Sequence, residues 1–176
     1  DIALEMSRDA LLHRRLEFIA EAAVADVHLL PSSAPPKPPD SLALPFDIRV
    51  KRGRIAQVRF ENRLFNNLAF DYQGGPASHT LQSLSTDTDW GHLTGELRIV
   101  ATRPFALSGQ FQLERPNEWS ARAALSGSLL ATDVAVHGTA RGAVVDAKAR
   151  IAAFDPRWLR EVHAHGKNIN TAAFIP

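Results

Sequence analysis

Residues 105–113 have the sequence FALSGQFQL, and this stretch decides the fold class. Every second residue from Phe105 to Leu113 is apolar or glycine, and the residues between them are small or polar. Such alternation places the two kinds of side chain on opposite faces of an extended strand. The stretch therefore predicts a half-buried β-strand. The turn-forming sequence Arg-Pro-Asn-Glu follows at 115–118, and the alternation resumes at Trp119.

The same unit, an amphipathic strand followed by a polar turn with glycine or proline, recurs along the chain about every ten residues. This spacing is typical of an antiparallel all-β meander, and no long helix alternates with the strands as an α/β fold requires. Two short helices are also predicted. Ser7 is a candidate N-cap for residues 8–13, and Asp155 followed by proline has the pattern of a second helix start.

The length of 176 residues predicts a single domain, within which the proline content marks one boundary. We expect residues 1–30 to form an N-terminal strand–helix–strand unit and residues 31–45 to form a proline-rich linker that is extended and exposed. We expect residues 46–176 to form the main amphipathic sheet, continuous with the N-terminal unit. Gly53 lies within a strand pattern and predicts a turn or bulge.

The composition excludes several classes of protein. Hydrophobic residues make up 45% and charged residues 22%, which is typical of a folded chain. The net charge of +1 gives no global attraction for nucleic acid, and the absence of cysteine removes disulfides and thiolate chemistry. No apolar run approaches the roughly 20 residues that span a bilayer. Because the chain starts with Asp1 and no leader pattern follows, we expect a mature or excised piece.

The residues that could carry chemistry form no recognisable set. His163 and His165 point apart on a helix and share a face on a strand, and Glu161 alone does not complete a metal site with them. The five other histidines are scattered, and Asp87 and Asp89 match ordinary solvated positions. No serine elbow or phosphate loop is present. The sequence therefore predicts a protein that is not an enzyme and has no metal or cofactor.

Nucleic acid is also an unfavourable partner. The basic residues between Arg49 and Arg63 alternate with apolar residues and are interleaved with Asp47 and Glu61. Aromatic side chains fall on the opposite phase of these strands, so they cannot stack bases beside the cations. A solvated strand face explains the basic stretch without a nucleic acid.

The continuous apolar face is the feature that needs a function. A single sheet cannot leave such a face in water, so it packs against a second sheet or covers a ligand. The usual outcome of this pattern is a closed β-sandwich core, in a module that binds or adheres, and the alternative is a curled antiparallel sheet with an open, apolar concave face. A further alternative is a chaperone-like holder of unfolded β-strands at open sheet edges. The predicted lining residues are Phe46, Ile48, Val50, Val58, Phe60, Phe70, Leu97, Ile99, Phe105, Leu107, Phe111 and Leu113.

The order of the strand motifs and of the turns between them resembles that of the translocation and assembly module subunit TamB family, within the wider AsmA-like group. Many members of the family have glycine where Arg14 stands here, and the resemblance otherwise covers nearly the whole chain. The segments that carry it are residues 10–19 and 25–29 before the proline-rich break, 44–50, the strand pair 91–99 and 103–113, and the section end at 154–159.

This resemblance implies a periplasmic protein of Gram-negative bacteria, held in the inner membrane by an N-terminal anchor. It implies a U-shaped, taco-like β-sheet groove and lipid transport, in which phospholipid acyl chains move between the inner and outer membranes. It also implies a part in outer membrane biogenesis with a barrel assembly partner. The chain would then be an internal section, since the anchor and the partner-binding end are not in it.

Overall fold

A computed structural model describes residues 15–28 and 37–168, which form one open, curled sheet of eleven strands with no helix. The strands are β1 Arg15–Phe18, β2 Glu21–Val27, β3 Asp47–Phe60, β4 Arg63–Gly74, β5 Ser78–Thr88, β6 Gly91–Val100, β7 Leu107–Arg115, β8 Trp119–Ser128, β9 Ala131–Ala140, β10 Ala143–Ile151 and β11 Leu159–Lys167.

The strands from β3 to β11 lie beside one another in chain order, and each is antiparallel to the next. β1 and β2 lie end to end along β3 and are parallel to it, against residues 47–50 and 54–60. The all-β prediction is therefore confirmed, with a meander from β3 onwards. All the described strands belong to this one sheet, so they do not form the second layer that a closed sandwich needs.

Left-handed residues in the turns explain why the chain reverses where it does. The loop between β9 and β10 is Arg141-Gly142, with φ of 48° and 85°, which meets the requirement of a type I′ hairpin turn. Asn117 has φ of 63° in the predicted turn before Trp119, and the Glu118 amide donates to the Arg115 carbonyl at 3.0 Å. The predicted turn at 115–118 is therefore confirmed.

The predicted second helix is wrong. The Asp155 carboxylate accepts a hydrogen bond from the Arg157 amide at 2.8 Å, and the Asp155 amide donates to the Ala152 carbonyl at 3.0 Å. This side-chain turn uses the same Asp-Pro pattern that can cap a helix. The chain then pairs with β10 from Leu159 onwards, which satisfies the backbone of both strands. The predicted first helix, at residues 8–13, lies outside the described residues.

The most buried apolar residues lie at one end of the strands and not along the sheet. Ala101, Phe105 and Leu107, which we call the rim core, are each less than 9% exposed. Phe105 was predicted within a strand, but it lies in the turn before β7, with φ of 59°. Its amide donates to the Thr102 carbonyl and its carbonyl accepts from the Leu129 amide, at 2.8 and 3.0 Å. Its ring is therefore part of a small enclosed core.

The predicted linker is described from residue 37 onwards, and this part runs along the rim core. The Leu42 amide donates to the Ala101 carbonyl at 2.8 Å, and the Leu44 amide donates to the Gly75 carbonyl at 3.2 Å. The Arg103 guanidinium donates to the Pro39 carbonyl and the Asp40 carboxylate, at 3.0 and 3.1 Å. These bonds fasten the segment to the ends of the strands.

Two strand glycines on one face offer a test of the packing. A Cβ on Gly95 would lie 2.4 Å from the Phe111 ring and 2.8 Å from the Gln110 carbonyl oxygen, whereas a Cβ on Gly138 would have no neighbour closer than 3.6 Å. We expect Gly95→Ala to lower the free energy of unfolding by about 1–3 kcal/mol through overpacking. Gly138→Ala should leave it unchanged or raise it by about 0.5 kcal/mol. Urea melts would measure both, and equal effects would contradict the packing of Phe111 on Gly95.

Candidate functional site

The strand register gathers apolar side chains into rows on one face of the sheet, which we call the apolar face. Leu93 pairs with Leu113 across β6 and β7, and this row continues to Ala121 on β8. The next row joins Gly95, Phe111, Ala123, Val136, Ala147 and Ala164. The row beyond it joins Leu97, Gly109, Leu125, Val134, Ala149 and Val162.

Five of the predicted lining residues lie together on β6 and β7. Ile99 is paired with Leu107, and Leu97 is paired with Gly109. Leu97 and Ile99 are two residues apart on β6, so they lie on the same face. Phe111 lies two residues from Gly109, and its ring covers the glycine at 95. Leu113 lies on the same face of β7 as Leu107 and Phe111. Leu107 is buried and the other four are half-buried.

The predicted lining residues on β3 and β4 belong to a less regular part of the sheet. Val50 is paired with Tyr72, and the register then shifts before Gly53, which confirms the predicted bulge. The Phe70 ring fills the space where a Cβ of Gly53 would lie, at 2.6 Å. The other members here are Ile48 opposite Gly74, Val58 opposite Phe65, and Phe60 opposite Arg63.

Two predicted residues lie away from the strands. Phe46 lies just before β3 and is 36% exposed, while Phe105 is fully buried in the rim core. A side chain with no exposed surface has no area left for a ligand. The structure thus brings ten of the twelve residues into the sheet, and it places Phe105 where it supports the fold.

The two faces of the sheet differ in how enclosed they are. Ala121, Ala123 and Ala147 point to the apolar face and are half-buried, whereas Ala124 and Ala135 point to the opposite, polar face and are exposed. All five residues are alanines on β8 to β10, so the difference in their exposure reflects the side chains around them. Larger apolar neighbours shelter the apolar face even though no second sheet of described residues covers it.

A groove of about 890 Å³ nevertheless lies on the polar face, from β6 to β11. Two polar rows line it together with the apolar row between them, which includes Phe111 and Val136, whereas the two outer apolar rows do not. The apolar concave face is therefore not confirmed, and it stays a prediction. The two polar rows are Thr94, Gln112, Arg122, His137, Asp146 and His165, and beside them Glu96, Gln110, Ala124, Ala135, Lys148 and His163.

Histidines on this face have partners that the sequence did not reveal. His137 Nδ1 lies 2.7 Å from Asp146 Oδ1 on the neighbouring strand, and this hydrogen bond is the main reason why the pKa of Asp146 is lowered. His165 is the register partner of Asp146 on β11 and contributes to the same lowering. His163 and His165 share a face because their segment is a strand. The interpretation of the histidines as solitary residues was therefore wrong here.

A second set joins Ser85, His92 and Asp87 across β5 and β6. Ser85 Oγ lies 3.2 Å from His92 Nε2, and His92 Nδ1 lies 2.7 Å from Asp87 Oδ1. Asn67 donates to the other carboxylate oxygen at 2.9 Å, and this bond, followed by that of His92, lowers the pKa of Asp87. The connectivity is that of a hydrolase triad, which also needs oxyanion donors and a cleft. The His92 and Asp87 side chains are 42% and 49% exposed, and none of the three residues lines the groove.

The sequence contained the signal for this set, but it became visible only with the register. Ser85 and Asp87 are two residues apart on one strand, and the turn at 89–90 places His92 opposite Asp87. Another histidine, His79, joins the sheet to the described part of the linker. Its Nε2 donates to the Leu42 carbonyl at 2.7 Å, and its Nδ1 lies 2.7 Å from the Tyr72 hydroxyl. Burial raises the pKa of Tyr72.

No three His, Asp or Glu side chains of the described residues are arranged to hold a metal ion. The same residues include no helix that is long and apolar enough to span a membrane. Comparisons with family models, with curated proteins and with solved structures give no match.

Proposed function

We propose that this chain is a section of a lipid-conduit protein and that its apolar face holds phospholipid acyl chains. The observation that carries the proposal is the apolar face from β6 to β11, which no second sheet of the described residues covers. On the three rows described above, no side chain has a polar atom. A face of this kind is a binding surface for an apolar partner.

Burial of methylene groups supplies the affinity in this proposal. Each methylene that leaves water contributes about 0.8 kcal/mol, so ten of them contribute roughly 8 kcal/mol before the cost of ordering the chain. No directional hydrogen bond is needed, and an acyl chain can therefore slide from row to row. This is the behaviour of a passive conduit and not of a site with one fixed ligand.

The order of the strand motifs and turns supports a cellular location and a transport role for the proposal. Its resemblance to the TamB family favours a periplasmic location and transport between the inner and outer membranes of a Gram-negative bacterium. On the same basis, the whole protein would be anchored in the inner membrane and would support outer-membrane protein assembly with a barrel partner. These are properties of a longer protein, of which this chain would be one section.

The edge strand β11 argues against the alternative in which the protein holds unfolded β-strands. β11 pairs with β10 only, among the described residues, and every residue of it is exposed. It carries Arg160, Glu161 and Lys167, and charged side chains of this kind discourage pairing at a sheet edge. The apolar face has no such protection, which favours lipid over an added strand.

We expect the protein purified from cells to carry phospholipid or detergent that native mass spectrometry detects. After delipidation it should bind a fluorescent fatty acid in a saturable manner, because the apolar rows are open to a ligand. Unlabelled lysophospholipid is the control, and it should displace the probe. A clean lipid-free mass together with no probe binding would contradict the conduit function.

A further inference from the structure

A gap in the polar face lies where two cavities meet. Ala124 and Ala135 are register partners on β8 and β9, and both are exposed. Both line the groove of about 890 Å³ and a second cavity of about 360 Å³ beside it. Their row continues with Gln110 on one side and Lys148 on the other. The two small side chains therefore leave space between longer ones.

Two acidic groups beside this gap are already engaged. Asp133 Oδ1 accepts from Arg150 Nε at 2.8 Å, and Asp146 is hydrogen bonded to His137 at 2.7 Å. Glu161 lies opposite Arg150 in the register and acts on it through its charge. Asp133 and Asp146 therefore have a cationic and an imidazole partner, while Glu96 lines the groove farther along the same row, beyond Gln110.

Two cations beside the gap are not engaged. Arg122 lies two residues from Ala124 on the same strand face, and Lys148 is the register partner of Ala135. Neither makes a hydrogen bond or an ion pair with the described residues. They approach the gap from opposite strands, and His163 lies beside Lys148 on β11. The gap thus offers a planar guanidinium and an ammonium, and the nearest carboxylate on the same rows, that of Asp146, is hydrogen bonded to His137.

We propose that this gap binds the phosphate group of an anionic ligand between Arg122 and Lys148. A guanidinium binds phosphate oxygens in a bidentate manner, and an ammonium adds a point charge. The phosphate can belong to a soluble phosphate ester or to a lipid headgroup at a membrane surface. The site lies on the face opposite the apolar rows, so it does not rest on the proposed function.

The charge of the groove makes this binding depend on pH. Its lining has two acidic and two basic side chains, so only the histidines can give it a net charge. Histidine is the side chain that ordinarily gains charge as pH falls from 8 to 5. Acidification therefore favours an anion here. The charged and titratable groups that face the gap or the groove are Glu96, Arg122, Asp133, His137, Asp146, Lys148, Arg150, Glu161, His163 and His165.

Titration of the full chain with inorganic phosphate, followed by amide NMR shifts or calorimetry, tests the site. We expect saturable binding that Arg122→Ala and Lys148→Ala each weaken at least tenfold. Arg98→Ala removes the same charge from the same face of β6, outside the groove, and should change affinity less than twofold. Ala135→Leu fills the gap without changing charge and should abolish binding. No saturable binding, an equal effect of Arg98→Ala, or a neutral Ala135→Leu would each overturn the proposal.

Two further arms separate the ligand sources and the pH effect. Flotation with phosphatidylcholine vesicles containing phosphatidylglycerol measures binding to a lipid headgroup, and dependence on Arg122 would assign it to the gap. Vesicle binding that Arg122→Ala leaves intact would come from elsewhere and would count against a headgroup at this site. Inorganic sulfate keeps its charge between pH 5.5 and 7.5, so it should bind at least threefold more tightly at pH 5.5. Equal affinity at both values would overturn the role of the histidines.

Discussion

Replacing Phe105 by alanine should lower the free energy of unfolding by about 3–5 kcal/mol, the range of a buried aromatic that leaves a cavity. The ring has no exposed surface, and the turn around it is held by hydrogen bonds to Thr102 and Leu129. Phe111→Ala should cost less, about 1–2 kcal/mol, because its ring is half-buried and solvent can relax into the space. Urea melts of the two variants and the wild type would measure both losses.

The difference in unfolding free energy between the two variants is a more direct test than either value alone. Both have the same chemistry and lie six residues apart, so the difference isolates enclosure in the rim core from exposure on the apolar face. If Phe105→Ala does not fold, Phe105→Leu keeps most of the volume and should remain measurable, with a loss of about 1–1.5 kcal/mol. Equal losses at the two positions would mean that the apolar face is as closed as the rim core.

The period-two alternation was enough to predict the strands, because the pleat of a strand imposes it directly on the sequence. Residues 105–113 show both the strength and the limit of that signal. Leu107 to Leu113 form β7 as predicted, but the alternation also extends over Phe105, which lies in a turn with a left-handed backbone. Alternation reports the phase of apolar residues, and it does not report where the backbone stops being extended.

Contacts between strands could not be predicted in the same way. Ser85, Asp87 and His92 form a hydrogen-bonded set only because the register of β5 and β6 is fixed by their turn. His137 and Asp146 meet for the same reason across β9 and β10. A single sequence gives the face of each residue but not its partner across the sheet. The gap on the polar face depends on such a pairing, since it follows from two alanines that become neighbours.

At Asp155 the sequence was compatible with both a capped helix and a side-chain turn. Both structures use an aspartate oxygen to accept a backbone amide, so the local sequence does not distinguish them. The deciding factor is the exposed edge of β10, which gains hydrogen bonds when residues 159–167 lie along it. The alternation of Val162, Ala164 and Gly166 with polar residues was present in the sequence and favoured the strand.

A charge on the apolar face should remove lipid binding, whereas the same charge on the polar face should not. We expect Phe111→Asp to lower the affinity for a fluorescent fatty acid at least tenfold, equivalent to about 1.4 kcal/mol or more. An ionised carboxylate in this row would lose water when an acyl chain lies over it, and no cation of the row compensates. Gln110→Asp introduces the same group one residue away on the polar face and should change the affinity less than twofold.

A fold defect in Phe111→Asp is separated from a binding defect by a second variant. Val145 lies on the apolar face next to Gly138 in the register and is 39% exposed, so Val145→Asp adds the charge without removing a packed ring. We expect this variant to melt like the wild type in urea and still to lose probe binding. Because a one-residue shift moves a side chain to the other face, the comparison of Val145→Asp with Gln110→Asp tests the assignment of faces directly. Normal probe binding by folded Val145→Asp, or an equal loss in Gln110→Asp, would contradict the acyl-chain role of the apolar face.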